Sequence, residues 1–200
     1  MRVSVMLDAN GANTTAAAAV VTAARHLDLA NTQSLVLAGT GPVGQRVARL
    51  LAGEGARVRL ASRSLDRARH VADSIGSRLD GHGEIEPCVT NTSDDLATAL
   101  QGTELVVAAV AAGVQLLSQA DRTAASSLRV AIDLNAVPPL GIAPIQPRDS
   151  AAIHDSVTCY GAIGVGGLKM QIHKVALRSL FESNDRVLDA EEIFEIGGQL

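Results

Sequence analysis

The chain has 200 residues, of which 47% are hydrophobic and 19% charged, and its formal net charge is −4. This composition is typical of a globular chain with one large core, and the acidic balance argues against a nucleic-acid-binding surface. Charged residues interrupt every apolar run before it reaches the roughly 18 residues of a membrane span, and the run at 2–7 is too short for a secretory signal. Cys88 and Cys159 show no CxxC spacing, so we expect a cytoplasmic protein in a reducing compartment.

Strand-like and helix-like segments alternate along the chain. Strands are predicted at 2–7, 35–38, 57–61, 85–90, 104–109, 129–134 and 157–160. Helices are predicted at 15–27, after the glycines at 39–44, and at 65–75, 93–100, 114–125, 167–183 and 189–196, with a turn at 8–15 and a loop at 77–83. This alternation predicts an α/β fold, a Rossmann-like, doubly wound parallel sheet with flanking N- and C-terminal helices.

A glycine-rich turn joins the strand at 35–38 to an amphipathic helix. Its sequence, Gly-Thr-Gly-Pro-Val-Gly, has the GxGxxG spacing that binds a dinucleotide when a strand precedes it and a helix follows. The first glycine permits the tight turn, the second a close approach to the pyrophosphate, and the third close packing of helix on strand. The alternative is a glycine-rich turn that binds nothing. The candidate cofactor-binding residues here are Gly39, Thr40, Gly41, Pro42, Val43 and Gly44.

The end of the next strand indicates which dinucleotide binds. Dehydrogenases that prefer NAD place Asp or Glu about 20 residues after the glycines, where it holds the ribose 2′-hydroxyl. Here Ser62, Arg63 and Ser64 end the strand and Arg67 follows one helical turn later, so no carboxylate repels a 2′-phosphate. We therefore predict NADP as the cofactor, with Ser62, Arg63 and Arg67 at the phosphate. The alternative is that both arginines are ordinary solvated residues.

Two later strands end in residues that suit a ligand crevice. The small residues at 107–113, including Ala109 and Val110, leave room for a ribose or nicotinamide, or alternatively serve only the packing of a buried strand. Asp133 and Asn135 end the next strand, at the sheet edge where ligands bind in doubly wound folds. They are predicted to face a nicotinamide or substrate, although Asp133 alternatively caps a helix or turn.

A third unusual stretch contains four glycines at 161–167. We expect it to be a loop that brings backbone close to a ligand. Lys169 would then lie in the first turn of the following helix, where the helix dipole disfavours a cation. Such a placement indicates function, with a freely solvated lysine as the alternative.

These residues resemble a known family, the NADP-dependent methylene-tetrahydromethanopterin dehydrogenases, which are related to the methylene-tetrahydrofolate enzymes. The resemblance covers nearly all of the chain. The AGTGPVG motif is generic, whereas DLNAVPPLG and GGLKM are specific. The matching segments are 8–18 (DANGANTTAAA), 38–44 (AGTGPVG), 133–142 (DLNAVPPLGI), 161–174 (GAIGVGGLKMQIHK) and 187–197 (VLDAEEIFEIG).

The resemblance implies reversible hydride transfer between the methylene carbon of a reduced pterin or folate and the nicotinamide of NADP. Such a reaction needs no general base, so the protein must mainly align the two carbons and exclude water. By motif, Lys169 would act at the pterin as the catalytic residue and Asn135 would border the nicotinamide. Thr15, Asp133 and Pro138 would join Lys169 in binding the substrate.

The resemblance also implies a domain division. It places an interdomain strand and helix at 1–30, an NADP-binding Rossmann domain at 31–160, and C-terminal helices at 161–200 that pack back on the interdomain region. Members of the family carry a further domain before the equivalent of Met1, which supplies much of the pterin-binding wall. We therefore expect a homo-oligomer or a partner chain that supplies the substrate domain, because an apolar surface would otherwise remain exposed.

Two other functional classes remain open. One is a non-catalytic NADP-binding module or subunit, and the other is a shikimate-dehydrogenase-like NADP oxidoreductase, which would need a Lys–Asp pair in a preceding domain. The sequence does not distinguish tetrahydromethanopterin from tetrahydrofolate as substrate. No metal site is expected, because the histidines are scattered. They are His26, His70, His82, His154 and His173.

Overall fold

The computed structural model describes residues 2–79 and 83–200. Its strands are β1 (Val5–Met6), β2 (Gln33–Leu37), β3 (Arg57–Ser62), β4 (Glu84–Val89), β5 (Leu105–Ala108), β6 (Val130–Asp133), β7 (Ala152–His154), β8 (Val157–Tyr160) and β9 (Val187–Leu188). Its helices are α1 (Ala12–Ala24), α2 (Pro42–Gly53), α3 (Leu65–Gly76), α4 (Ser93–Leu100), α5 (Gln119–Ala124), α6 (Ala162–Ser179) and α7 (Ala190–Gly198). The loop predicted at 77–83 includes residues 80–82, which lie outside the described residues.

The main sheet has seven strands in the order β4-β3-β2-β5-β6-β8-β7. All neighbouring strands are parallel except β7, which runs antiparallel to β8. The chain builds outward from β2 through β3 and β4, then crosses over to add β5, β6 and β8 on the other side. This confirms the doubly wound, Rossmann-like fold, with β7 as an antiparallel edge strand that the sequence did not predict. The strand order reverses between β2 and β5, which is where doubly wound sheets bind their ligands.

Apolar layers cover both faces of this sheet. β5 and β6 are buried along their whole length, as the central strands of a parallel sheet require. Alternate residues of the strands enter opposite layers. Val36 and Val107 pack in the layer of α1, α2, α6 and α7, whereas Leu35 and Val106 pack in the layer of α4. The sheet is therefore a rigid base for the loops at its carboxyl edge.

The N-terminal segment pairs with the C-terminal segment instead of joining the main sheet. β1 is shorter than the strand predicted at 2–7 and runs parallel to β9. Val5 lies opposite Val187, and Met6 lies opposite Leu188. This pairing closes the chain on itself next to α1 and α7.

α1 begins at Ala12, three residues earlier than predicted. The Asp8 carboxylate explains the difference, because its Oδ1 accepts the backbone N–H groups of Asn13 (2.8 Å) and Thr14 (3.0 Å). An acidic side chain in this position satisfies N–H groups that the first helical turn leaves without partners. The alanine-rich helix that follows is almost entirely buried and packs against α2, α6 and α7.

α5 is also shorter than the helix predicted at 114–125. A capping box defines its start, since the Ser118 hydroxyl accepts the N–H of Asp121 (3.1 Å) and the Asp121 carboxylate accepts the N–H of Ser118 (3.3 Å). Leu117, just before this cap, instead forms a parallel bridge with Ile142.

The glycine-rich stretch at 161–167 was predicted as a loop, and that prediction is wrong. α6 begins at Ala162, so Lys169 lies within the helix and the dipole argument for it no longer applies. A Cβ at Gly161 would overlap the carbonyl oxygen of Gln146, and one at Gly164 would overlap that of Asp149. These two glycines therefore let the helix lie directly on the loop before β7.

Candidate functional site

The three glycines of the turn after β2 have different surroundings. A Cβ at Gly39 would lie 2.8 Å from Leu60 Cγ, and a Cβ at Gly44 would lie 2.7 Å from Gly39 Cα. Gly44 therefore lets α2 begin directly against the end of β2. A Cβ at Gly41 would have no neighbour closer than the Ala38 carbonyl oxygen at 3.6 Å. The backbone at Gly41 is thus open to a ligand, as a pyrophosphate-binding turn requires.

α2 begins at this turn without a side-chain cap. Gly41 precedes the helix and Pro42 fills its first position, where no N–H is needed. The N–H groups of the first turn, beginning at Val43, have no intrahelical acceptor and can bind an anion. Gln45 Nε2 donates to the Thr40 carbonyl (2.7 Å), which holds the turn in place. The residues present therefore fit the pyrophosphate of a dinucleotide.

Two serines and two arginines lie together between the end of β3 and the first turn of α3. We call this group, Ser62, Arg63, Ser64 and Arg67, the basic bowl. The Ser64 hydroxyl accepts the Arg67 N–H (3.3 Å) and so caps α3, and the Ser62 hydroxyl accepts the Ser64 N–H (3.3 Å). Thr40 Oγ1 lies 3.5 Å from Ser62 Oγ, so the glycine turn and the bowl adjoin. The structure therefore brings these predicted cofactor-binding residues together.

The guanidinium groups of this bowl are available to a ligand. Arg63 and Arg67 are both exposed, and within 2–79 and 83–200 neither has a carboxylate partner. The neighbouring acid, Asp66, lies 3.7 Å from Arg69. Two unpaired cations next to serine hydroxyls can bind a phosphate dianion.

Asn91 is a residue of this region that the sequence reasoning missed. Its Nδ2 donates to the Arg63 carbonyl oxygen (3.0 Å). β4 pairs with β3 so that Val89 lies opposite Ser62, which brings the residue two positions after β4 next to the bowl. The strand order of a doubly wound sheet was the signal that could have identified it, because such a sheet places β4 on the outer side of β3.

The loop after β6 lies against the end of β5. A Cβ at Gly141 would lie 2.8 Å from Asp133 Oδ1 and 3.1 Å from Val110 Cγ1. Ala109 follows β5 and donates its N–H to the Leu37 carbonyl of β2 (3.1 Å). Ala109 and Val110 are half-buried, so they border the crevice at the switch point between β2 and β5.

Asp133 does not face this crevice. Its side chain is almost fully buried, and its two oxygens accept the N–H groups of Asn135 and Ile142, each at 3.0 Å. Burial raises the pKa of the Asp133 carboxyl, against the lowering effect of these backbone hydrogen bonds. The contacts match the turn-capping alternative, and they correct the expectation of a substrate contact.

Asn135 has a similar role in the same loop. Its Oδ1 accepts the Val137 N–H (2.9 Å), and its Nδ2 donates to the carbonyls of Val137 (2.9 Å) and Pro139 (3.0 Å). The side chain is nearly buried, so it shapes the loop from within and is not presented to a nicotinamide. Pro138 is exposed on the outside of the loop, where a ligand can reach it.

Lys169 lies against the start of α1. A Cβ at Gly11, which has φ +69°, would lie 2.7 Å from Lys169 Nζ. The Gly11 carbonyl accepts the Thr15 hydroxyl (2.6 Å), so the structure brings Thr15 and Lys169 to the same place. Lys169 is half-buried, and its ammonium group has no hydrogen-bond acceptor in the described part of the chain. One helical turn further along α6, His173 Nδ1 lies 3.8 Å from Asp8 Oδ2.

Asn13 connects this edge to the glycine turn. It is fully buried, and its Nδ2 donates to Asp189 Oδ1 (2.9 Å) and to the Leu7 carbonyl. Its Oδ1 accepts Arg46 Nε of α2, and Arg46 Nη1 donates to the Pro42 carbonyl (2.7 Å). The start of α1, beside Lys169, and the start of α2 are therefore joined by hydrogen bonds.

In residues 2–79 and 83–200, no three His, Cys, Asp or Glu side chains come together as a metal-ligand set, and His82 is outside that part. No helix there is long and apolar enough to cross a membrane.

Comparison with known proteins identifies relatives of this arrangement. The family model described as Shikimate / quinate 5-dehydrogenase matches residues 21–144, which include the glycine turn, the basic bowl and the loop after β6. Bifunctional protein MdtA of Methylorubrum extorquens is 44% identical over an alignment of 203 positions that covers 100% of this chain and 69% of that protein.

A second protein of Methylorubrum extorquens, NAD(P)-dependent methylenetetrahydromethanopterin dehydrogenase, is 28% identical over 207 residues. The match covers 98% of this chain and 69% of the relative, so the chain spans about two thirds of the length of both relatives. Among solved structures, quinate dehydrogenase from Corynebacterium glutamicum in complex with NAD has a TM-score of 0.52 and 16% identity, over 94% of this chain and 61% of that one. This likeness shows a shared fold.

Proposed function

Since the chain belongs to the shikimate and quinate 5-dehydrogenase family and is thus a Rossmann-type NAD(P)-dependent oxidoreductase, we propose that it acts in one-carbon metabolism. Its reaction is hydride transfer between methylene-tetrahydromethanopterin, or methylene-tetrahydrofolate, and NADP. The 28% identity to an NAD(P)-dependent methylenetetrahydromethanopterin dehydrogenase, along 98% of this chain, supports this class. The observation that carries the proposal is an open glycine turn, at Gly41, beside two exposed guanidinium groups that have no carboxylate partner in residues 2–79 and 83–200.

The chain's own residues bind and align the reactants in this proposal. The first turn of α2 and the backbone at Gly41 hold the pyrophosphate, and Arg63 and Arg67 hold the 2′-phosphate. NADP supplies the hydride-accepting nicotinamide when it is bound. Ala109 and Val110 border the crevice on its nicotinamide side, where small side chains leave room for the ring.

Lys169 and Thr15 contribute the substrate side. The ammonium group of Lys169 lies beside Gly11 at the start of α1. The start of α1 is in turn joined through Asn13 and Arg46 to the start of α2. A cation there can hold a polar group of the pterin and exclude water from the reacting carbons. No residue of the chain needs to accept a proton in this step, because a methenyl cation is stabilised by its own nitrogens.

The cofactor assignment is tested by the dissociation constants of NADPH and NADH, measured by fluorescence. We expect NADPH to bind at least about tenfold more tightly, because the two guanidinium groups pair with its extra phosphate. Replacing both Arg63 and Arg67 with alanine should remove this preference, whereas Arg69→Ala, on the same helix, should retain it. Tighter binding of NADH by the parent protein would refute the assignment.

The reaction is tested by following absorbance at 340 nm with NADP and each methylene-pterin. Lys169→Ala should lower turnover at least about tenfold with little change in the NADPH dissociation constant, and Lys174→Ala of the same helix is the matched control. Turnover with shikimate or quinate instead would favour the second candidate, a shikimate-dehydrogenase-like enzyme, which the matching family model supports. NADPH binding without turnover of any of these substrates would favour a non-catalytic cofactor-binding subunit.

We also propose that the chain associates with another protein chain. Large apolar side chains are exposed next to β1 and in or just after α6, among them Leu7, Met170 and Phe181, of which Phe181 is 91% exposed. A group of exposed apolar side chains marks an interaction surface. The partner is a second copy of the chain or a protein that supplies a substrate domain.

A further inference from the structure

The loops after β3 and β4 are fixed next to each other. β4 pairs with β3 along its whole length, with Val89 opposite Ser62. Thr92 then caps α4 through a reciprocal pair of hydrogen bonds with Asp95, at 3.0 and 3.1 Å. Asn91 stands between the strand end and this cap, so its backbone is held on both sides.

From this fixed position Asn91 reaches across to the basic bowl. Its Nδ2 donates one hydrogen to the Arg63 carbonyl oxygen (3.0 Å). The second hydrogen of Nδ2 has no acceptor among the residues that the structure describes. The contact fixes the backbone of Arg63, which carries the exposed guanidinium group, in addition to the hydrogen bond between its neighbours Ser62 and Ser64.

We propose that Asn91 determines specificity for the 2′-phosphate of NADP. This inference rests on the proposed NADP-binding function. A long arginine side chain loses conformational freedom when it binds a phosphate, and a fixed backbone reduces the number of orientations from which it starts. The spare amide hydrogen adds a donor for a phosphate oxygen. NAD has no phosphate at this position, so neither contribution affects it.

The charge of the side chain at position 91 matters as much as its hydrogen bonds. Asp66 lies beside Arg69, and Asp95 is occupied by the α4 cap, so both carboxylates already have partners. A carboxylate at position 91 would be a new acid next to the phosphate, and it would also lack the donor that holds Arg63. The neutral amide of Asn91 provides the hydrogen-bond donor for the Arg63 carbonyl and does not repel the phosphate.

The test measures the dissociation constants of NADPH and NADH for the full chain and for Asn91→Ala and Asn91→Asp. We expect the NADPH constant to rise about fivefold in N91A, the effect of one lost hydrogen bond, and more than tenfold in N91D. The NADH constant should change less than about twofold in both. Asn31→Ala is the matched control, since Asn31 is also exposed and donates to a single side chain, Asp28 (2.7 Å), before β2.

The possible outcomes separate this inference from the function on which it rests. An unchanged ratio of NADPH to NADH affinity in both variants, with a parent that prefers NADPH, overturns the role of Asn91 alone. An equal rise of both constants in N91A also overturns it, since that indicates general damage to the loop. A parent protein that prefers NADH overturns both the NADP assignment and this inference.

Discussion

At the residue scale, two glycines of the GxGxxG turn have different roles, one in the packing of α2 on β2 and the other in leaving space for the ligand. Gly44 is surrounded by backbone, so a methyl group there must displace either α2 or the end of β2. Gly41 has ordinary backbone angles, φ −79° and ψ 167°, and open space where a Cβ would lie. Gly44 is therefore needed for folding, and Gly41 is needed for binding.

We expect Gly44→Ala to lower the free energy of unfolding by about 1–3 kcal/mol, because overpacking against backbone cannot be relieved by a rotamer change. Gly41→Ala should change it by less than about 1 kcal/mol. The same Gly41→Ala variant should raise the NADPH dissociation constant about tenfold, since the methyl group occupies the path of the pyrophosphate. Urea unfolding and fluorescence titration of both variants check this, and equal stability losses would contradict the division of roles.

The two cysteines give a pH-dependent prediction. Burial raises the pKa of both Cys88 and Cys159 to about 11. At pH 8 about one thousandth of each thiol is then ionised in the native protein, against about one tenth for an unperturbed thiol with a pKa of 9.0. Alkylation by iodoacetamide at pH 8 should be about 100-fold slower in the native protein than in urea, and the native rate should rise about tenfold per pH unit. A fast native reaction at pH 8 would contradict it.

At the scale of an element, α6 shows that its glycines have two different roles. Gly161 and Gly164 face backbone, whereas a Cβ at Gly166 or Gly167 would have nothing within 4 Å. A glycine inside a helix with open space around it only adds freedom to the unfolded chain.

Gly166→Ala and Gly167→Ala should therefore each raise the free energy of unfolding by about 0.5–1 kcal/mol. Gly164→Ala should lower it by about 1–3 kcal/mol, because its methyl group would overlap the Asp149 carbonyl oxygen. Urea unfolding of the three variants measures the difference. If all three variants were destabilised, positions 166 and 167 would not have the open space that an added methyl group needs.

Local patterns predicted most of these elements but not all of the site. The switch point and the basic bowl follow from the alternation of strands with helices, from GxGxxG and from the missing acid after β3. The helix at 162–167 could not be predicted, because three glycines disfavour a helix and the hydrogen bonds at its start are accepted by the carbonyls of the distant residues Pro147 and Asp149. Asp133 and Asn135 were misjudged for a related reason, since a polar residue at a strand end looks the same whether it faces a ligand or its own loop.

At the scale of the whole molecule, the exposed apolar side chains in and just after α6 give the last prediction. Phe181 and Met170 should lie in an interface, so light scattering should show a mass above that of one chain, 20.6 kDa, at micromolar concentration or when a partner is added. Replacing both with serine should weaken this association at least about tenfold without lowering the thermal unfolding temperature, because both side chains are exposed already. The exposed Ile153, on the antiparallel edge strand, is the matched control. A monomer at all concentrations and with every candidate partner would contradict the proposal.

The pairing of β1 with β9 makes the two ends of the polypeptide dependent on each other. Enzymatic trimming at residue 186 would remove the strand that β1 pairs with, the Asp189 acceptor of Asn13 and the helix that covers α1. Asn13 would then be free to move, and its hydrogen bond to Arg46, which in turn donates to Pro42 in the dinucleotide-binding turn, would be weakened. A nick close to the carboxyl terminus should thus abolish coenzyme retention even though every group that touches the coenzyme is left intact.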